Sequence, residues 1–162
     1  MSRSLELPYR LNVGAALFNR VGKVWVGKRA DVPAEFGDAW QMPQGGIDAG
    51  EDPATAVLRE LGEEIGTANA AILAEHPDWF DYDLPERLMG IAWGGKYRGQ
   101  RQRWFALRFL GQDSDINLHA DAHPEFTAWR WVDIAELPAL AVGFKRPIYE
   151  VLARDFAVHA RG

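Results

Sequence analysis

The spacing of apolar positions changes several times along the chain. Asn12–Phe18 and Val24–Lys28 are short, apolar, β-rich runs separated by Asn19-Arg20-Val21-Gly22-Lys23, a pattern that predicts a hairpin. A loop is expected from Ala30 to Ala39, with Pro33 and Gly37 as breakers. Trp40–Gly46 reads as a short extended piece running into a glycine turn. The period then becomes helical. Asp52 as N-cap, Pro53 at the first helical position and Gly66 as the stop delimit the clearest helix. Shorter strands are expected at Ala71–Glu75, Arg87–Trp93, Gln102–Leu110 and Phe126–Val132. A last helix runs from Pro147 to Phe156, with Ile148, Val151, Leu152 and Phe156 on one side. Strands mixed with a few helices predict an α/β or α+β sandwich around a mixed sheet. Trp104 and Phe105 are adjacent, so one should face the core and the other solvent. Trp129 and Trp131 alternate and read as sheet packing.

Composition narrows the class. The chain has 162 residues, 48% hydrophobic and 25% charged, which fits one domain over residues 1–162. It has no cysteine, which removes disulfides, zinc–thiolate sites, iron–sulfur clusters and thiol nucleophiles together. No apolar run approaches a bilayer span and Met1–Glu6 is unlike a signal peptide, so no membrane role and a cytoplasmic location are expected. The net charge of −5 argues against a nucleic-acid binder driven by overall charge, and no DNA partner is expected. One strip differs: Lys96, Arg98, Arg101, Arg103 and Arg108 fall in a stretch without an acidic residue. It reads either as a charged sheet edge or as phosphate contacts along an RNA 5′ end. His76, His119, His123 and His159 show no metal-ligand spacing and are expected at surface or loop positions.

The candidate chemistry sits on the first helix. With Val57 at zero on a helical wheel, Ala54, Leu58, Leu61 and Ile65 fall between roughly 0° and 100°, the core arc. Glu60, Glu64 and Glu63 fall near roughly 300°, 340° and 240°, so three carboxylates share the neighbouring arc. Arg59 points elsewhere on the wheel. Such a cluster suits a hard divalent cation with oxygen ligands, Mg²⁺ or Mn²⁺ best; three glutamates alone equally describe a solvated face.

The surrounding spacing separates these readings. Gly45, Glu51, Arg59-Glu60-Leu61, Glu63-Glu64 and Gly66 form a fixed string whose chance occurrence at a given start is on the order of 10⁻⁸ or less. This string resembles the Nudix box, G-x5-E-x7-R-E-U-x-E-E-x-G-U, where U is a bulky aliphatic residue. Thr67 departs from the pattern at the final U, and Gly62 fills an unrestricted position. The resemblance extends from Tyr9 to Phe156 through Tyr9-Arg10-Leu11-Asn12-Val13-Gly14, Trp40–Ile47, Gly99–Phe105, Pro124-Glu125-Phe126 with Trp129-Arg130-Trp131, and Phe144-Lys145-Arg146-Pro147. These segments look like the bacterial RNA pyrophosphohydrolase group of that family, which overlaps with the dinucleoside tetraphosphate hydrolases.

The resemblance implies a Nudix-type α/β/α sandwich with a mixed β-sheet and Mg²⁺ as cofactor, with Mn²⁺ or Zn²⁺ as substitutes. It implies hydrolysis of a nucleoside diphosphate linked to another group. The activity it points to is RNA 5′ pyrophosphohydrolase; the alternatives are a dinucleoside tetraphosphate (Ap4A) hydrolase giving ATP and AMP, and a non-catalytic nucleotide sensor. By position, Glu60, Glu63 and Glu64 resemble the metal ligands, with the Gly45 carbonyl adding a backbone oxygen. Glu125 matches a glutamate used on the same metals or as a base. Arg59 matches the arginine that orients a box glutamate, here Glu51. Arg10, Arg29 and Lys145 resemble phosphate-contacting cations, Val142 and Phe144 a nucleobase shelf. Gln41 and Gln44 are open between strand or turn positions and nucleotide contact. The partner implied is a nucleotide or an RNA 5′ end, bound by a monomer or small homo-oligomer.

Overall fold

The computed structural model describes residues 7–30, 40–85, 92–141 and 143–160. β1 (Tyr9–Phe18) and β2 (Val24–Arg29) are the predicted hairpin, but they share only the Phe18–Val24 pair before diverging. β1 instead runs parallel to β6 (Gly99–Phe109) from Tyr9–Gly99 to Phe18–Arg108. β2 leaves to pair with β3 (Trp40–Gln41) and β7 (Phe126–Val132). The wedge opened by this fork is filled by β4 (Gln44–Gly46), which pairs with Asn12, Val13 and Gly14 of β1. β5 (Ala70–Asp83) lies beyond β6, giving a mixed seven-stranded sheet.

One helix packs on each face. α1 (Pro53–Ile65) lays Val57, Leu61 and Ile65 on Val13, Ala15, Leu17, Phe105 and Leu107. α3 (Arg146–Asp155), preceded by the one-turn α2 (Leu137–Leu140), lays Ile148, Tyr149 and Leu152 on Phe18, Val26, Trp104 and Ala106. Trp104 and Phe105 are therefore both buried, on opposite faces, because neither face of this sheet is left to solvent at that point. The expectation of one outward side chain fails for that reason. The two clusters and the sheet between them form the expected α/β/α layering.

Three further expectations change. The first concerns β5, which continues well past Glu75 to Asp83. Pro77 is tolerated because the strand is an edge and its register shifts between Glu75 and Trp79. In the second, the strand expected at 87–93 falls largely outside the described residues, and Ala92–Gly95 forms a 3₁₀ turn. The expected loop at 30–39 lies outside them beyond Ala30. The third is His76, which is only 4% exposed: its Nε2 donates to Asp155 at 2.8 Å and its Nδ1 accepts the Asp78 amide at 3.1 Å. The edges of Phe80 and Phe156 close around it. The bulged edge strand thus turns this histidine inward against α3.

The basic strip is the charged sheet edge of the two readings. Arg98, Arg101 and Arg103 each pair across the strand boundary with Asp83, Asp81 and Glu75 of β5. Arg108 is spent on the backbone carbonyls of Asn19 and His159. Trp129 stacks on Trp25 at 6.2 Å between ring centres and Trp131 lies against Phe109.

Candidate active site

The site begins with the way α1 is held. Asp52 caps its start by accepting from the Thr55 amide (3.3 Å) and hydroxyl (2.7 Å), and Gly66 ends it in the left-handed region at φ 84°. With Leu61 and Ile65 fixed in the core, Glu64 falls beside them and is only 5% exposed. Glu60 lies one turn earlier, over β4. A Cβ on Gly45 would coincide with the Glu60 carboxylate, and one on Gly46 would meet the Arg10 guanidinium. Glycine is required at both positions because two side chains cross the backbone there.

Arg59 gathers the loop and the helix. Its Nε and Nη2 fork onto Glu51 at 2.8 and 2.9 Å, and Nη2 also donates to the Gly46 carbonyl at 2.9 Å. Its Nη1 reaches Glu60 at 3.0 Å and Glu63 at 3.2 Å. On the wheel Arg59 falls about 40° from Glu63, its i,i+4 neighbour, and the length of its side chain carries the head on to Glu60 and Glu51. Glu51 also accepts from the Asp48 amide at 3.0 Å. The Arg59 pair holds the Glu51 carboxyl down at about 2, while Arg59 itself is pushed up, chiefly by Glu51.

The opposite trend holds deeper in. Burial pushes Glu60 up to about 7. Glu64 is raised well above the carboxylate range, first by burial and then by Glu125. Among the described residues, neither carboxylate oxygen of Glu64 has a hydrogen-bond donor. Glu125 arrives there because the β2–β7 ladder brings Arg29 opposite Phe126, with the Ala30 amide bonded to the Glu125 carbonyl at 3.0 Å. A buried carboxylate facing another and lacking donors is the arrangement a divalent cation satisfies. The donor set, oxygen only, fits that group. No three carboxylate or imidazole groups among the described residues stand closed around one point as a finished ligand set: Glu63 is turned to Arg59 and is 46% exposed at its side chain.

The remaining candidates divide. Lys145 is buried, and its Nζ donates to Gln41 Oε1 at 2.9 Å. Arg10 donates to Gln100 at 3.2 Å and lines a cleft of about 390 Å³ with Tyr9, Gly46, Asp48, Glu60 and Tyr97. Gln41 and Gln44 are both buried, Gln41 against Lys145 and Gln44 against Gln102. Arg29 acts electrostatically on Glu64 from the end of β2. Val142 and the Phe144 side chain lie outside the described residues. Sequence reasoning missed Asn12, Tyr82, Gln100 and Gln102, which are buried beside Gln44. Their signal was polar residues at inward positions of otherwise apolar strands.

Residues 8–152 match the NUDIX domain family. The chain belongs to the NUDIX family. This NUDIX chain is 59% identical over 161 residues to a protein of Acidiphilium cryptum named RNA pyrophosphohydrolase, covering 99% of this chain and 98% of that one. It is 61% identical over 151 residues to a protein of the same name from Rhodospirillum rubrum, covering 93% and 88%. Its fold is shared with a solved binary complex of a C. elegans Ap4A hydrolase, at a TM-score of 0.63 and 17% identity over 91% of this chain and 96% of that one. The expected family and sandwich fold are therefore both met, and NUDIX hydrolases generally use divalent metal ions.

Proposed function

We propose that this NUDIX chain is an RNA pyrophosphohydrolase, which converts a 5′-triphosphorylated RNA and water into a 5′-monophosphorylated RNA and pyrophosphate. The observation that carries the reading is the buried Glu64 carboxylate, which has no hydrogen-bond donor among the described residues and faces Glu125 and Glu60. The near-complete length over which the named relatives match supports the choice of substrate.

In this reading Glu60, Glu63, Glu64, Glu125 and the Gly45 carbonyl hold the divalent cations, with Mg²⁺ the resident ion and Mn²⁺ or Zn²⁺ as substitutes. When bound, such ions neutralise phosphate oxygens and make hydroxide available near neutral pH. The protein's own groups do the rest. Arg59 fixes Glu51 and the Gly46 carbonyl, and so sets where the Gly45 carbonyl and Glu60 point. Arg10, Arg29 and Lys145 hold the outer phosphates and support the negative charge that gathers on the leaving pyrophosphate. Gln41 and Gln44 line the same bed as neutral contacts; Val142 and Phe144 are the proposed base shelf. RNA contact does not rest on the basic strip, since Arg98, Arg101 and Arg103 are tied to acidic partners. An RNA substrate places the protein in the cytoplasm; no described helix is long and apolar enough to cross a membrane.

Parallel initial rates on a triphosphorylated RNA oligonucleotide and on diadenosine tetraphosphate test the proposal. Release of pyrophosphate from RNA is expected. Turnover of the dinucleotide with negligible RNA cleavage assigns the chain to the Ap4A reading instead, and inactivity on both with any divalent ion returns the nucleotide sensor.

A further inference from the structure

The bed beneath Lys145 has a direction built into its hydrogen bonds. Trp104 Nε1 can only donate, and it donates to Gln102 Oε1 at 3.1 Å. That contact leaves Gln102 its amide nitrogen, which donates to Asn12 Oδ1 at 2.9 Å and to Gln44 Oε1 at 2.8 Å. Asn12 is therefore locked with its Nδ2 turned away from Gln102. The same logic runs through Lys145, an ammonium that can only donate: it takes Gln41 Oε1 at 2.9 Å and so turns Nε2 of Gln41 away from itself. Asn12 is fully buried and Gln41 is 5% exposed, yet Asn12 Nδ2 and Gln41 Nε2 have no hydrogen-bond partner among the described residues. Two buried donors without acceptors are costly in the free protein unless a ligand supplies the acceptors.

The lock on Asn12 is rigid. Asn12, Gly14, Gln102 and Trp104 occupy matched positions of the parallel β1–β6 ladder, Asn12 opposite Gln102 and Gly14 opposite Trp104. The indole lies where a Cβ on Gly14 would fall, is fully buried, and meets the edge of Tyr149 at 6.0 Å between ring centres. Its N–H has one available direction.

We infer that Trp104 and Gln102 are positioning residues that fix the Asn12 amide with its N–H groups facing the ligand, so that Asn12 and Gln41 offer only donors to the phosphate oxygens of the substrate. The assignment rests on the polyphosphate reading given above and selects for a ligand whose facing atoms are all acceptors, which phosphate oxygens are. Asn12 and Gln41 are polarised by separate anchors, Trp104 and Lys145, and this separation makes the inference testable.

Trp104→Phe keeps an aromatic side chain but removes the indole N–H together with the second ring, and the packing loss is read separately in the melt; Gln102→Glu makes both terminal atoms acceptors and obliges Asn12 to turn its nitrogen inward. On triphosphorylated RNA, Trp104→Phe should raise KM about three- to tenfold, the worth of one neutral hydrogen bond, with kcat within about twofold; Gln102→Glu should raise KM further. A thermal melt confirms that each variant is folded. Independently of turnover, adding inorganic tripolyphosphate to the wild-type protein without divalent cation should shift the side-chain NH₂ resonances of Asn12 and Gln41. In Trp104→Phe the Asn12 shift should be lost and the Gln41 shift retained. Unmoved Asn12 resonances in the wild type, an unchanged KM in Trp104→Phe, or equal loss at Asn12 and Gln41 in that variant each overturn the inference. If the wild type cleaves neither RNA nor dinucleotide, the proposed function falls while the resonance experiment still decides the bed.

Discussion

Replacing Glu64 by glutamine should make the cation-free protein more stable while removing its activity. The Glu64 carboxylate is buried, lacks a donor among the described residues and faces Glu125, and its ionisation is opposed by burial first and Glu125 second. A carboxyl raised in the folded state holds its proton there more tightly than in the unfolded chain. Its ionisation therefore costs stability increasingly as pH rises above about 4.3, the unfolded value, until the folded value is reached. Relieving a buried acceptor that has no donor is worth on the order of 1–3 kcal/mol, which sets the advantage of Glu64→Gln where the wild-type carboxyl is ionised. For a chain of this size that is roughly 2–12 °C in Tm. Thermal melts in chelator at pH 4.5 and pH 8 read it directly: the gain should be small at the lower pH and larger at the higher. Adding Mg²⁺ should stabilise the wild type at pH 8, by occupying the carboxylates, and should do little for Glu64→Gln. Turnover should fall by at least ~10² through lost cation charge. A variant no more stable than wild type in chelator, or one that keeps the full Mg²⁺ response, refutes the reasoning.

Other consequences follow from neighbouring contacts. Gly45→Ala puts a methyl group into the Glu60 carboxylate and should lower kcat/KM at least about tenfold, measured on triphosphorylated RNA. Arg59→Lys loses the fork onto Glu51 and should weaken Mg²⁺ affinity or activity by roughly 10- to 100-fold. In that variant the Glu51 carboxyl should rise from about 2 toward its ordinary value, followed by NMR titration. Because the lowered Glu51 value contributes stability that is lost only as pH falls through about 2, the variant's deficit should be present at pH 7 and vanish in strong acid. Gly62→Ala should stabilise by about 1 kcal/mol, seen in urea melts, since its Cβ would meet only Ala68 at an ordinary 3.6 Å.

The helix and the box were legible because several local signals coincide there: Asp52 as cap, Pro53 inside it, Gly66 as stop, and an apolar arc flanked by carboxylates. The wheel even placed Glu64 within about 20° of Val57, which foreshadows its burial. Arg59 was misread: on the wheel it lies about 40° from Glu63, and only its reach to Glu60 and Glu51 depends on the length of the side chain. The continuation of β5 past Pro77 and the inward turn of His76 depend on the strand being a bulged edge, a fact of sheet order that no window of sequence carries. Trp104 and Phe105 show the same limit, since their burial follows from helices contributed by distant segments. The polar bed was visible only residue by residue. Asn12, Gln100 and Gln102 became a unit once β1 and β6 were aligned in parallel.

The central claim is that Glu60 and Glu64 of α1, joined by Glu125, hold a divalent cation. Anomalous diffraction at the manganese edge, from crystals soaked in Mn²⁺ with a non-cleavable triphosphate analogue, tests it most directly. The account predicts a peak bounded by Glu60, Glu64 and Glu125 with the Gly45 carbonyl alongside. Density for the analogue with no anomalous peak there, or a peak elsewhere alone, contradicts it.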